Sequence, residues 1–183
     1  AVMGAARVPL GVPLAQLDAS GIASRIATIP WVGSVEVRRG WPREVVLAVT
    51  PRIPVAQVAG TAKVADATGV AFDPPTPAGA LMSIDAQGPA LTEAVKVLTG
   101  LPEAIRSRVR VIQAKTRDDV ELQLRSGAVV RWGSAERGDV KAQVLVALLP
   151  RRARVYDVTA PELPTTFGER PVKGPGAGPS GTG

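Results

Sequence analysis

The apolar residues of this chain come in short runs, and Pro and Gly residues separate one run from the next. Residues 34–38 alternate polar and apolar side chains, which is the period of a half-buried strand. Residues 138–149 instead repeat apolar side chains every three or four positions, which is the period of a helix face. No run reaches 18 apolar residues, so we expect no membrane span and no signal peptide within the given residues. The pattern predicts an α+β fold, in which short strands are covered by a few helices.

The amino-acid composition restricts the function. The chain contains neither His nor Cys, so it lacks the commonest general base, the commonest zinc ligand and any thiol. Most enzyme classes are therefore disfavoured, and we predict that the protein uses no metal and no cofactor. Its net charge of +6 would attract anionic polymers or lipids. Aromatic residues make up only 3% of the chain, too few for a base-stacking platform, so no nucleic-acid partner is predicted.

Residues 1–59 are predicted to form an amino-terminal domain. Ile22, Ile26 and Ile29 share one helical face within residues 18–29, with Asp18 as the N-cap and a proline after the last isoleucine. Strands are predicted to follow at 34–39, 44–50 and 55–58.

Residues 60–160 are predicted to form a second domain of antiparallel strands with two packing helices. The predicted strands are 62–65, 70–72, 81–84, 109–115, 120–125, 128–132 and 154–159, and the predicted helices are 90–98 and 138–149. In the tail, 161–183, 11 of the 23 residues are Pro or Gly, which predicts disorder.

Several motifs occur in a distinctive order. Residues 29–50 contain Pro-Trp-Val before one strand and Arg-Arg-x-Trp-Pro in the hairpin, and Arg-x-Pro-Val-Ala follows at 52–56. This block closely resembles the helix-strand-strand part of the POTRA domain in the FtsQ/DivIB family. Residues 63–72, and later 131–134 with 155–158, resemble the entry and the closing elements of that family's β domain. The resemblance covers roughly residues 8–160, and it implies that the first POTRA strand is missing from the chain.

The resemblance implies a non-enzymatic scaffold that links early and late cell-division proteins at the septum. It further implies a single-pass cell-membrane protein with this part on the extracytoplasmic side and its membrane anchor upstream of Ala1. The implied partners are proteins of the FtsB and FtsL type, bound by the β domain, and other septal membrane proteins, bound through the POTRA domain.

The implied binding mode is strand addition, in which a partner segment pairs with the backbone of an exposed last strand. The candidate partner-binding residues, on that strand and beside it, are Tyr156, Asp157, Val158, Thr159, Ala160, Glu162, Trp132, Ser134 and Arg137. If 154–159 is the open strand, Tyr156→Ala with Val158→Asp should weaken binding and leave thermal stability nearly unchanged. The alternative is a purely structural strand, because edge strands are usually protected.

Two other functions are consistent with parts of the sequence. A POTRA-type scaffold in outer-membrane assembly or secretion would be favoured by tandem POTRA repeats, and we find no repeat in the sequence. A carboxylate-based hydrolase would need a convergent carboxylate pair, and the acidic group at 118–121 is better explained as a polar turn.

Overall fold

The structure is a computed structural model that describes residues 2–8, 17–40 and 44–168. Its amino-terminal part contains the short helix α1 (Val2–Ala6) and the helix α2 (Ala19–Ala27). Asp18 caps α2, because its carboxylate accepts hydrogen bonds from the Gly21 amide at 2.9 Å and the Ser20 hydroxyl at 2.7 Å. The predicted helix face is confirmed for Ile22 and Ile26, which are both buried.

A two-stranded antiparallel sheet follows α2, formed by β1 (Val32–Gly40) and β2 (Glu44–Pro51). Val35 lies opposite Val49 and Val37 lies opposite Leu47, so their side chains share one face. That face is half-buried, and it packs against the buried residues of α1 and α2. The turn predicted around Trp41 lies outside the described residues.

The second part is built on a nine-stranded sheet, counted over the described residues, and three helices. The strands are β3 (Pro54–Val58), β4 (Val64–Asp66), β5 (Ala71–Phe72), β6 (Met82–Asp85), β7 (Val109–Ala114), β8 (Val120–Leu124), β9 (Val129–Arg131), β10 (Val155–Asp157) and β11 (Thr165–Phe167). The helices are α3 (Gly88–Gly100), α4 (Glu103–Arg106) and α5 (Gly138–Leu148). In space the strands follow the order β11-β10-β9-β8-β7-β6-β3-β4-β5. The predicted α+β class is thereby confirmed.

The β domain was predicted to consist of antiparallel strands, and five of the eight strand pairs described in the large sheet are antiparallel. Three strand pairs are parallel, namely β3 with β6, β6 with β7, and β9 with β10. In the chain, α3 and α4 lie between β6 and β7, and α5 lies between β9 and β10. A helical crossover returns the chain to the same end of the sheet, so the next strand must run parallel.

The predicted domain boundary at residue 59 also moves. β3 pairs with β4 and β6 in the larger sheet, so it belongs to the second domain. The sequence placed it in the first domain because it follows β2 after only two residues, and strand periodicity does not reveal the partner of a strand.

Arg52 joins the two parts at this boundary. Its backbone amide donates to the Trp31 carbonyl at 2.8 Å, and its Nε donates to the Pro30 carbonyl at 3.1 Å. The guanidinium also pairs with Asp66 at 2.6 Å between Nη1 and Oδ2. Two motifs that are separate in the sequence, Arg-x-Pro and the β4 aspartate, are therefore in direct contact.

The helices bury the side chains that cover the sheet. In α3 the predicted stripe of Leu91, Val95 and Leu98 is confirmed as buried. In α5 the apolar side chains of Leu145 and Leu148 are buried, and so is Lys141, while Val140 and Val144 are only partly covered. The described ranges contain no helix that is both long and apolar enough to cross a bilayer.

Candidate protein-binding edge of the sheet

The last strand of the sheet is β11, not the strand that the sequence predicted. β10 pairs in parallel with β9 on one side and antiparallel with β11 on the other, with Val155 opposite Phe167 and Asp157 opposite Thr165. β11 lies within the tail that was predicted to be disordered. That prediction is wrong for residues 161–168, and residues 169–183 lie outside the described part of the chain.

The hypothesis that 154–159 is an open edge is therefore wrong, and three candidate side chains lie in the core. Tyr156 is 2% exposed, Val158 is 0% exposed and Trp132 is 2% exposed. The Tyr156 hydroxyl donates to the Leu149 carbonyl at 3.4 Å, toward the inside of the domain. Tyr156 and Val158 lie two residues apart and so share one face, and that face belongs to the hydrophobic core.

Asp157 and Thr159 form a local turn at the end of β10. The Asp157 Oδ1 atom accepts from the Thr159 amide at 3.1 Å and from the Thr159 hydroxyl at 2.7 Å. This is the hydrogen bonding of an Asx turn, which fixes the direction of the chain as it leaves the strand. Asp157 also lies 3.9 Å from the Arg131 guanidinium of β9. The side chains of Thr159 and Ala160 are exposed beyond this turn.

Arg137 and Glu162 form an ion pair across the same end of the sheet. The hydrogen bond from Arg137 lowers the pKa of Glu162 below its ordinary value. Arg137 directly precedes α5 and Glu162 lies just before β11, so the pair links the helix start to the segment that leads into the last strand. The Leu163 amide donates to the Ala160 carbonyl at 3.0 Å and closes a turn in that segment.

Lys141 holds the loop that contains Ser134. Its Nζ atom donates to the Trp132 carbonyl and to the Ser134 carbonyl, both at 3.0 Å. Burial lowers the pKa of Lys141. Glu93 of α3 accepts the Ala135 amide at 2.8 Å, and this hydrogen bond lowers the pKa of Glu93. Sequence reasoning missed Lys141, because a lysine on a helix is normally assigned to the solvent face.

The edge formed by β11 carries apolar side chains that point to solvent. Leu163 is 81% exposed just before the strand, and Phe167 is 53% exposed at its end. Thr165 is also exposed. The signal for β11 was present in the sequence, because two threonines and a phenylalanine lie between Pro164 and Gly168, and β-branched and aromatic residues favour strands. An end strand with exposed apolar neighbours can take up a further strand and bind its side chains.

Comparison with known proteins identifies the family. Residues 55–160 match the family profile "Cell division protein FtsQ/DivIB, C-terminal", and residues 1–52 match "POTRA domain, FtsQ-type". The chain belongs to the FtsQ/DivIB family. The two profiles divide the FtsQ-type chain between β2 and β3, where the structure changes from the small sheet to the large one.

Curated FtsQ proteins of actinobacteria match nearly the whole chain. "Cell division protein FtsQ" of Mycobacterium tuberculosis (strain ATCC 25618 / H37Rv) is 38% identical over 171 residues, covering 90% of this chain and 54% of the relative. FtsQ of Streptomyces venezuelae is 40% identical, covering 91% of this chain and 68% of the relative. FtsQ of Streptomyces griseus is 35% identical, covering 89% and 87%. The chain thus spans about half the length of the mycobacterial relatives.

The FtsQ/DivIB match ends at residue 160, before β11 begins. The family profile therefore covers β9, α5 and β10 but not the strand that ends the sheet. Among the residues that the structure describes, no group of three or more Asp, Glu, His or Cys side chains could hold a metal ion.

Proposed function

We propose that this chain is the extracytoplasmic part of a non-enzymatic divisome scaffold that links early and late cell-division proteins at the septum. It binds a coiled-coil pair of the FtsB and FtsL type through its β domain. Membership of the FtsQ/DivIB family supports this function. The position of β11 as the end strand of the sheet is the single observation that carries the binding mode.

A partner segment would add to the sheet beside β11. Main-chain hydrogen bonds then supply affinity, and side chains that alternate along the added strand supply specificity. Exposed edges of this kind are usually blunted by charge, Pro or a covering element. Here Pro164 precedes the strand, but the flanking Leu163 and Phe167 are apolar and exposed. An apolar side chain of the partner that packs on Leu163 or Phe167 would remove their apolar surface from water.

The candidate residues divide into two groups on this proposal. Asp157, Thr159, Ala160, Glu162, Ser134 and Arg137 surround the end of β10 and supply a polar rim for the partner. Tyr156, Val158 and Trp132 support the edge from the core and do not touch the partner. A polar rim around a small apolar centre is the usual composition of a protein interface.

The remaining parts of the proposal concern the rest of the protein. A membrane anchor upstream of Ala1 would place this part outside the cytoplasm, as a single-pass membrane protein. The POTRA domain would contact other septal membrane proteins. Arg52 and Asp66 would keep that domain in a fixed relation to the β domain, because their ion pair is largely removed from solvent.

The proposal is tested by removing the apolar side chains of the edge. Leu163→Ser with Phe167→Ser should weaken binding of the extracytoplasmic FtsB–FtsL pair of the same organism by about tenfold or more, because roughly 1.4 kcal/mol of apolar contact is lost. Calorimetry or a biosensor measures the affinity. Thermal unfolding should hardly change, since both side chains are mostly exposed.

The matched control is Val70→Ser, which removes a partly exposed apolar side chain beside β5, at the other end of the sheet. It should leave partner affinity unchanged. If Val70→Ser weakens binding as much as the edge variant, or the folded edge variant binds normally, strand addition at β11 is rejected.

A further inference from the structure

A second concave surface lies at the other end of β10, away from Thr159 and Arg137. It is a pocket of about 580 Å³, within the usual size range of ligand pockets. The start of β7, the β8–β9 turn, the end of α5 and the start of β10 surround it. Its rim carries four arginines, which are Arg108, Arg125, Arg152 and Arg154. Among the residues that the structure describes, those that line the pocket include no Asp and no Glu.

The four pocket arginines differ from five of the eleven other described arginines in having no carboxylate partner. Arg38, Arg52, Arg106, Arg131 and Arg137 each form an ion pair with an Asp or Glu. Over residues 2–8, 17–40 and 44–168, no ion pair involves any of the four pocket arginines. Four exposed arginines around one concave surface give it a positive potential, which attracts an anionic partner.

The structure constrains three of these arginines. Arg125 donates its Nε to the Ser107 carbonyl at 3.1 Å, which fixes the direction of its guanidinium. Arg152 has a φ of 53°, a left-handed conformation that is uncommon for a residue other than glycine. The stem of Arg154 packs against Gly168, where an added Cβ would lie 3.1 Å from Cδ. A favourable interaction with the C-terminal dipole of α5 would explain the position of Arg152 only, because the other three arginines do not lie at that helix end.

We propose that this pocket binds an acidic peptide segment of a partner protein, in which carboxylate side chains alternate with apolar ones. Guanidinium groups bind carboxylates through paired hydrogen bonds, so four of them can hold two or more acidic side chains. The walls between the arginines are apolar and include Leu124, Ala128, Leu149 and Tyr156. Such walls suit the apolar side chains of a peptide.

A lipid surface fits the pocket less well. Membrane-binding surfaces place apolar residues beside the basic ones, so that they insert below the headgroups. The large apolar side chains that are exposed among the described residues are Met3, Val46, Ile53, Val70, Val146, Leu163 and Phe167. None of them lines the pocket. This peptide site goes beyond the proposed strand addition and does not depend on it.

The test uses a fluorescent peptide in which glutamate and leucine alternate, and fluorescence anisotropy measures its binding to the whole chain. Arg152→Gln with Arg154→Gln should weaken binding by about tenfold or more, because two charge-assisted contacts are lost. Glutamine keeps much of the aliphatic stem, so packing against Gly168 is preserved. A peptide with glutamine in place of glutamate should bind wild-type protein as weakly as the variant binds the acidic peptide.

The matched control is Lys115→Gln with Arg117→Gln, which removes the same charge from the opposite end of the β7–β8 hairpin. It should leave peptide binding unchanged. The Leu163→Ser and Phe167→Ser variant should also bind the peptide normally, which separates this site from the edge. Equal losses in the pocket and control variants would overturn the proposal. So would the absence of glutamate-dependent binding, or arginine-dependent binding to phosphatidylglycerol vesicles without peptide binding.

Discussion

The large sheet has a short strand at each end, and the surroundings of the two strands differ. At one end Phe72 of β5 is buried, and the Asp66 carboxylate accepts hydrogen bonds from Arg52, from the Thr68 amide and hydroxyl and from the Val70 amide. Gly69 in this turn has a φ of 83°, and a Cβ there would lie 2.5 Å from the Thr92 Cα of α3. The turn at the β5 end is therefore held by its own hydrogen bonds and packs closely against α3.

The β11 end has no comparable cover among residues 2–8, 17–40 and 44–168. Its flanking apolar side chains, Leu163 and Phe167, are exposed, and the nearby Arg137–Glu162 pair is also more than half exposed. Leu163 and Phe167 leave more apolar surface exposed at the β11 end than Val70 leaves at the β5 end, so the β11 end is better suited to a partner. The comparison between the two ends leads to the following predictions.

The largest effect is expected from the side chains beneath the β11 end. Tyr156→Ala with Val158→Asp should lower the free energy of unfolding by about 5 kcal/mol, because it creates a cavity and buries a carboxylate without a partner. Urea denaturation measures the change. An unchanged midpoint together with weakened partner binding would show that these side chains face a partner after all.

The hydrogen bonds of the turn between β4 and β5 depend on the Asp66 carboxylate. Asp66→Ala should cost about 3 kcal/mol, because it leaves Arg52 and several buried donors without their acceptor. Partner affinity at the β11 end should not change, which calorimetry measures in the folded variant. Asp118→Ala, in an exposed turn, is the control and should have little effect on stability. If both variants lose a similar free energy of unfolding, Asp66 has no special role in stabilising the β5 end.

The same carboxylate predicts a pH dependence. Burial alone would raise the pKa of Asp66, but hydrogen bonds from Thr68, Arg52 and Val70 outweigh it and lower that pKa. A lowered folded pKa adds stability above the unfolded pKa, and this stability is lost as the pH falls through the folded value. The stability advantage of wild type over Asp66→Asn should therefore shrink between about pH 5 and about pH 2. A constant difference over that range would contradict the lowered pKa.

The smallest effect is expected from the exposed ion pair. Glu162→Gln should leave the urea midpoint unchanged, because both partners are mostly solvated. It should weaken partner binding only about threefold, as expected for a charge at the rim of an interface. A large loss of stability would show that the pair fixes β11 in place, and Glu36→Gln on β1 is the control for removing an exposed paired carboxylate.

Local periodicity predicted much of the fold. The isoleucine spacing of α2, the capping by Asp18 and the apolar stripe of α3 all appear in the structure. These features depend on contacts between residues close in sequence and on a single buried face, which a sequence displays directly. The family resemblance was carried by motifs of the same local kind and is confirmed by the profile matches.

Strand partners and exact burial were not predictable in the same way. β11 was missed because disorder was predicted from the average composition of residues 161–183. That average hides a three-residue strand between Pro164 and Gly168. The error then passed to Tyr156 and Val158, whose side chains were placed on an edge that another strand covers. Lys141 and the Arg52–Asp66 pair depend on contacts between separate elements, which periodicity does not encode.

Amide hydrogen exchange tests the binding edge most directly. It should be measured on the whole chain with and without the extracytoplasmic FtsB–FtsL pair. A strand that pairs with β11 should protect amides within residues 165–167 on binding, while amides of residues 70–72 at the β5 end keep their exchange rates. Unchanged exchange at 165–167 in a saturated complex, or protection only at the β5 end, would contradict strand addition at β11.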